Sequence, residues 1–206
     1  VNFRDFSTNK HHTVDDYAYG GGAGMLISVE PIHLAMKTIK GIEKAKVVLT
    51  SPSGNVWNQE KAFAYSHLDH IVIICGHYEG IDNRILKYVD EEISIGDYVL
   101  TGGEIAATVL IDSISRLVKG VISDDSIVNE SHQDHLLEYP QYTRPLEYDG
   151  EKVPEVLYSG HHANIKKYQR YEALKKTYHV RPDLLAKATL TNEDLKMLEE
   201  IKNEKN

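Results

Sequence analysis

The run "HIVIIC", residues 70–75, constrains this chain more than any other stretch. It is apolar without alternation. A half-exposed strand alternates apolar and polar residues because successive side chains point to opposite faces, so a run with no polar phase needs cover on both faces. An inner strand of a parallel sheet, with helices above and below, meets that need. "KVVLT" (46–50) and "EEISIGDYVL" (91–100) read as further strands, and "VNF" at the start as a fourth. Helical patterns lie between them. "EPIHLAMKTIKGI" (30–42) sets Ile32, Ala35, Met36 and Ile39 on one face, and "DNRILKYVDE" (82–91) is a short helix. "GEIAATVLIDSISRLVKG" (103–120) sets Ile105, Val109, Ile114, Leu117 and Val118 on an apolar stripe that stops at Gly120. Strand–helix alternation predicts an α/β domain over residues 1–122.

The texture then changes. Residues 123–162 hold Pro140, Pro145 and Pro154 with little periodicity, and read as a linker or a long functional loop. Two helices follow. One, over about 163–177, carries a basic face; the other opens at "TNEDLKMLEEIK", where Thr191 and Asp194 have the spacing of a capping box. Hydrophobic residues make up 41% of the 206, enough for one large domain or a medium and a small one. No apolar run approaches the length of a bilayer span, and the start shows no signal-peptide pattern. The chain opens on Val1 rather than Met, as though a further segment preceded it. The lone Cys75 excludes an intrachain disulfide and fits a reducing cytoplasm. The net charge of −8 argues against a surface coated in positive charge for nucleic acid, but leaves room for a local patch. Between His161 and Arg181, six basic residues face Glu172 alone, a net +5 before histidines; this is either a solvated helix face or a contact for an anionic partner.

Three glycine-rich turns stand out: "YGGGAGM" (19–25), "CGHYEGID" (75–82) and "GDYVLTGGE" (96–104). None carries the Lys-Ser/Thr of a phosphate-binding loop or the dinucleotide fingerprint, which removes a Rossmann dehydrogenase. The last two follow expected strands, as does "SPSG" (51–54). Ligands of open α/β sheets bind at that carboxyl edge, where bare backbone groups can read an adenine or a ribose. Arg116 lies four residues after Asp112, which fits either an exposed ion pair or an arginine aimed at an anion. "ESHQDHLLEYPQYTRP" (130–145) holds Glu130, His132, Asp134 and His135. It reads as a polar loop, or as one that carries a general base; zinc would need further ligands.

Taken in order, "VNFRDF", "YGGGAGM", "SPSG", "CGHYEGID", "SIGDYVLTGGE", "LIDSISR", "YPQYTRP", "VPEVLYSGHH" and "RPDLL" resemble the bacterial tRNA (guanine-37-N1)-methyltransferases, the TrmD family of the SPOUT or trefoil-knot class. The resemblance covers essentially the whole chain. It implies an α/β fold with a trefoil-knotted parallel sheet, helices on both faces, and a small C-terminal helical domain. Residues 1–122 would be the knotted donor-binding domain, 123–162 the linker and active-site loop, and 163–206 the tRNA-binding domain. The implied reaction carries a methyl group from S-adenosylmethionine to N1 of guanosine 37, next to the anticodon. The implied donor contacts are Thr50, Ser51, Pro52, Gly76, Tyr78, Glu79, Gly80, Ile95, Gly96, Asp97, Tyr98, Val99, Leu100, Gly102 and Gly103.

N1 of guanine carries a proton, so the chemistry needs a base, and a cation to steady charge that develops on O6. By motif, Glu130 is the implied base and Arg116 the implied cation. Glu79 would help position the donor or the magnesium that supports activity in the family. The implied tRNA contacts are Lys166, Lys167, Arg170, Arg144 and His162, and the implied assembly is a homodimer with shared active sites and no membrane partner. Three departures accompany the match: Glu130 stands where the family has Asp, Ala18 where it has Pro, and His77 where it often has Arg. Family members also usually begin a few tens of residues earlier. The competing reading is a non-catalytic relative that binds the donor and RNA.

Overall fold

The computed structural model describes residues 1–122, 132 and 134–204, and the chain forms two compact units, Val1–Ile122 and Ser123–Asn206. In the first, a short antiparallel pair, β1 (Asp15–Asp16) and β2 (Leu26–Ile27), brackets the first glycine loop and leads into α1 (Val29–Lys37). There follow β3 (Lys46–Val56), α2 (Gln59–Tyr65), β4 (Ile71–Ile74), β5 (Glu91–Ser94) and α3 (Glu104–Ser115). The three long strands form a sheet in the order β4-β3-β5, with both pairings parallel.

Side-chain alternation along β3 divides the core in two. Val47 and Leu49 join Ile27, Ile32, Met36, Ile74 and Ile85, the cluster that holds α1. Val48 joins Tyr65, Ile93, Leu110 and Ile114, the cluster that holds α2 and α3. β4 does the same: Val72 and Ile74 face the first cluster, Ile71 and Ile73 the second. Helices therefore cover both faces, and the absence of a polar phase in "HIVIIC" has its physical cause. Polar contacts fix α2 and α3 on their face. The indole Nε1–H of Trp57 donates to Ser113 Oγ at 2.9 Å, and the Tyr65 hydroxyl donates to Glu91 at 2.7 Å, with Lys61 paired to the same carboxylate.

Four sequence expectations are corrected. The opening residues form no strand; Phe3–Phe6 is a 3₁₀ turn, because the Asn2 side chain accepts the Arg4 N–H at 3.1 Å and closes the backbone locally. β5 stops at Ser94 instead of continuing to 100. There the Ser94 hydroxyl accepts the Gly96 N–H at 3.2 Å and donates to the Gly96 carbonyl at 3.0 Å, which turns the chain out of the sheet. The segment 82–91 is a 3₁₀ helix, Asn83–Tyr88, capped by Asp82. On α3 the buried face is Ala106, Ala107, Leu110 and Ile114; Ile105, Val109 and Val118 from the expected stripe are exposed. That helix is apolar nearly all round, so periodicity alone could not say which side the sheet takes.

In the second unit, β6 (Glu147–Tyr148) and β7 (Glu151–Lys152) make a small hairpin before α4 (His162–Val180), α5 (Pro182–Leu185) and α6 (Asn192–Asn203). Its core is Leu136, Leu174, Met197, Leu198 and Ile201. Leu136 comes from the stretch expected as linker, and the next residue is tied down too: the Leu137 N–H donates to Thr177 Oγ1 at 2.8 Å. α6 opens with the capping box read from sequence. Thr191 Oγ1 accepts the Asp194 N–H at 3.1 Å, and Asp194 accepts the Thr191 N–H at 2.8 Å.

Candidate functional site

The segments that leave the carboxyl ends of the strands converge. β3 pairs with β5 up to Thr50 and again from Asn55, so residues 51–54 stand out from the ladder. The loop after β4 meets the loop after β5 directly. The Gly103 N–H donates to the Gly76 carbonyl at 2.9 Å, and His77 bridges antiparallel to Gly102. The same loop is anchored behind by β2. The Ile27 N–H donates to the Gly80 carbonyl at 2.9 Å, the Asp82 N–H to the Ile27 carbonyl at 2.9 Å, and the Glu79 N–H to the Met25 carbonyl at 3.2 Å. Between them lies a cavity of about 390 Å³, within the range of cofactor sites.

Close approach of backbones sets the sequence here. A Cβ on Gly103 would overlap Thr50 Oγ1 and lie 2.9 Å from Cys75 Cα and 3.1 Å from Gly76 N. Thr50 cannot easily move aside, because its hydroxyl donates to the Ile74 carbonyl at 3.2 Å. Gly103→Ala is expected to lower the stability of the chain by about 1–3 kcal/mol through overpacking. A urea titration checks this; an unchanged midpoint would mean that the loops separate without cost.

Among the expected donor contacts, Thr50, Ser51, Pro52, Gly76, Tyr78, Glu79, Gly80, Ile95, Gly96, Tyr98, Val99, Leu100, Gly102 and Gly103 all line this one cavity. Asp97 does not; it is exposed beyond the rim. The lining also takes in Asn83, Leu86 and Glu92, which no motif had flagged. Asn83 and Leu86 come from the 3₁₀ helix Asn83–Tyr88 and Glu92 from β5, so only the fold brings them to the cavity. Tyr78 holds a φ of 59°, a left-handed value that is uncommon for a bulky residue and frequent at ligand-binding turns.

Charge at the rim is arranged by α3. Glu104 is the first residue of that helix, and its own backbone N–H, then the nearby His77, hold its carboxyl below the usual carboxylate range. His77 Nε2 lies 2.6 Å from Glu104 Oε1. Burial, and then the Glu104 charge, push the Cys75 thiol up, so this half-buried cysteine stays protonated.

The other expected residues that the structure describes do not line this cavity. Arg116 is half-buried at the carboxyl end of α3 and does not line the cavity. Glu130 lies outside the described residues. In the second unit Lys166, Arg144 and His162 are exposed, and Lys167 reaches Glu193 at 3.8 Å. Arg170 is committed inward: its Nε and Nη2 donate to Asp194 at 2.8 and 2.9 Å. Lys175 is held by Glu204 and Arg181 by Asp183. The acids of α5 and α6 and the last turn thus offset much of the basic run that the linear sequence shows. Among the described residues no three His, Cys, Asp or Glu side chains converge on a common point, so the magnesium expected from the resemblance enters no step below. Among the same residues no helix is long and apolar enough to cross a membrane.

A glycine-walled cavity at the carboxyl edge of a parallel sheet defines an α/β ligand-binding scaffold of the enzyme type. Comparison with known proteins makes it specific. The family model described as tRNA (Guanine-1)-methyltransferase TrmD matches residues 1–187. The chain is 54% identical over 204 residues to the tRNA (guanine-N(1)-)-methyltransferase of Dictyoglomus turgidum, which covers 98% of this chain and 83% of that protein. It is 56% identical over 199 residues to the protein of that name from Clostridium perfringens strain SM101, covering 96% and 84%. To that of Aster yellows witches'-broom phytoplasma it is 54% identical over 202 residues, covering 98% and 83%. The chain belongs to the tRNA (guanine-1)-methyltransferase family.

Proposed function

We infer that this protein transfers a methyl group from S-adenosylmethionine to N1 of a guanine in tRNA, and that the guanine is the one at position 37. One observation carries the reading at this site: two glycine loops, joined by the Gly103–Gly76 hydrogen bond, enclose a cavity lined by every residue expected to hold the donor except Asp97. The cavity suits that donor. Leu49, Ile81, Ile95, Leu100 and Ala106 offer apolar walls for an adenine, and the bare Gly76, Gly102 and Gly103 bring backbone within reach of a ribose.

When bound, S-adenosylmethionine supplies an electrophilic methyl on a sulfonium. This chain's residues prepare the other partner. Glu130 takes the N1 proton of guanine, and Arg116 faces the charge that develops on O6. N1 then gains the methyl, and the electron pair of the broken C–S bond remains on sulfur. Glu79 orients the donor at the cavity wall. The chain follows a trefoil-knotted path through the two loops, a reading supported by its membership of the family. The second unit grips the anticodon arm through Lys166, Lys167, Arg144 and His162. The enzyme acts in the cytoplasm as a homodimer with shared active sites. Ile105 at 63% and Ile111 at 54% exposure on α3 support a covered apolar face there.

Transfer of labelled methyl to unmodified tRNA transcripts, with guanine or adenine at position 37, tests the reading. Incorporation is expected only into the guanine transcript. Incorporation into both would overturn the position, and donor binding with no incorporation into either would favour a non-catalytic relative.

A further inference from the structure

His77 and Glu104 are joined by a feature that the reaction above does not use. His77 sits in the loop after β4, and Glu104 opens α3, just past the loop after β5. Their side chains meet at 2.6 Å, across the same seam that the His77–Gly102 bridge and the Gly103–Gly76 hydrogen bond close on the backbone. Glu104 stays ionised at the positive end of its helix, so it can only accept; the hydrogen of this contact therefore sits on His77 Nε2. The pair lies directly over Gly102. A Cβ there would come within 2.5 Å of His77 Cε1 and 2.5 Å of Glu104 Oε2. Gly102 has no positive φ to explain it. Its smallness serves this crossing.

We propose that His77 and Glu104 form a clasp that holds the two loops of the donor cavity shut, and that Gly102 is glycine so that the imidazole can pass over it to the carboxylate. His77 is a positioning residue: it lines the cavity and fixes the loop that carries Gly76, Tyr78, Glu79 and Gly80 against the loop that carries Leu100 and Gly102. The clasp works on donor affinity rather than on the methyl-transfer step, because both partners stand at the rim, with side chains 47% and 59% exposed. The same exposure keeps the effect modest. The inference rests on the donor reading of this cavity.

Three variants of the full chain test it: His77→Ala, His77→Arg and Glu104→Gln. Calorimetry with S-adenosylhomocysteine is expected to give about three- to fivefold weaker binding for His77→Ala, the scale of a partly exposed charged pair. His77→Arg should recover the affinity to within about twofold, because a guanidinium can donate to the same carboxylate. At saturating donor, kcat of His77→Ala should stay within about twofold, since the clasp acts on binding alone. Equal affinity in His77→Ala, or equal loss in His77→Ala and His77→Arg, overturns the clasp.

A donor-free arm separates this from failure of the donor reading. Amide hydrogen exchange of residues 76–80 and 100–103 should be faster in His77→Ala and Glu104→Gln and return to normal in His77→Arg. Unchanged exchange overturns the clasp even if the donor binds elsewhere. If the unsubstituted chain binds no S-adenosylhomocysteine, the donor reading fails and the exchange arm alone decides. Gly102→Ala supplies a further check. It should weaken the chain more in the presence of His77 than in the His77→Ala background, where its Cβ has lost one of its two obstacles.

Discussion

Asp194→Ala is expected to destabilise the second unit by about 3 kcal/mol, the lower end of what breaking a buried pair costs. Asp194 is 2% exposed, and its carboxylate accepts three hydrogen bonds at once. It receives Arg170 in a bidentate pair at 2.8 and 2.9 Å, and it accepts the Thr191 N–H at 2.8 Å as the far half of the capping box. Its removal leaves a half-buried guanidinium and an orphan helix N–H together. Thr191→Ala, which removes only the other half of the box, should cost about 1 kcal/mol. Chemical unfolding of the full chain, followed by far-ultraviolet circular dichroism, measures both; equal losses would mean that the Arg170 pair contributes nothing.

The pair also sets an acid dependence. Arg170, and after it the Thr191 contacts, hold the Asp194 carboxyl down to about 2, against an ordinary 3.8. The folded value lies below the unfolded one, so the unfolded state binds protons first. The stability from this group is complete above about pH 4 and is lost as pH falls toward 2, a total of about 2 kcal/mol. Asp194→Ala should flatten that part of the stability profile.

Glu130→Gln is expected to lower methyl transfer to the guanine-37 transcript by about 10²–10⁴-fold, the usual contribution of a positioned base. Donor affinity should not change, because Glu130 is not among the residues proposed to hold the donor. N1 must lose its proton as it gains carbon, and an amide cannot take it. Arg116→Ala should cost about 10²–10³-fold in turnover through loss of charge stabilisation at O6, also with donor affinity kept. Single-turnover rates at saturating donor separate the two effects from binding. A Glu130→Gln chain with normal turnover would remove that residue as the base and direct attention to the other carboxylates of residues 130–138.

Much of the cavity was legible in the sequence. The unbroken apolar run at 70–75 and the glycine turns after strands are local signals, and each follows from backbone physics: a strand covered on both faces, and loops that pass too close to a neighbour for a side chain. Thr191 and Asp194 were legible for the same reason, since a capping box is closed within four residues. The resemblance supplied the rest of the donor list, and Asp97 was its one member that the fold leaves outside.

What the sequence determined by itself was therefore whatever depends on neighbours along the chain: the strand core, the tight turns and the helix cap. Tertiary structure alone decided which side of α3 faces the sheet, because Ile105 and Leu110 are equally apolar and only packing against Val48, Tyr65 and Ile93 distinguishes them. It decided that Arg170 turns inward to Asp194 while Lys166 stays in solvent, because those charges meet only when α4 and α6 pack. It also brought His77 to Glu104, 27 residues away, over Gly102, where a Cβ would meet both side chains.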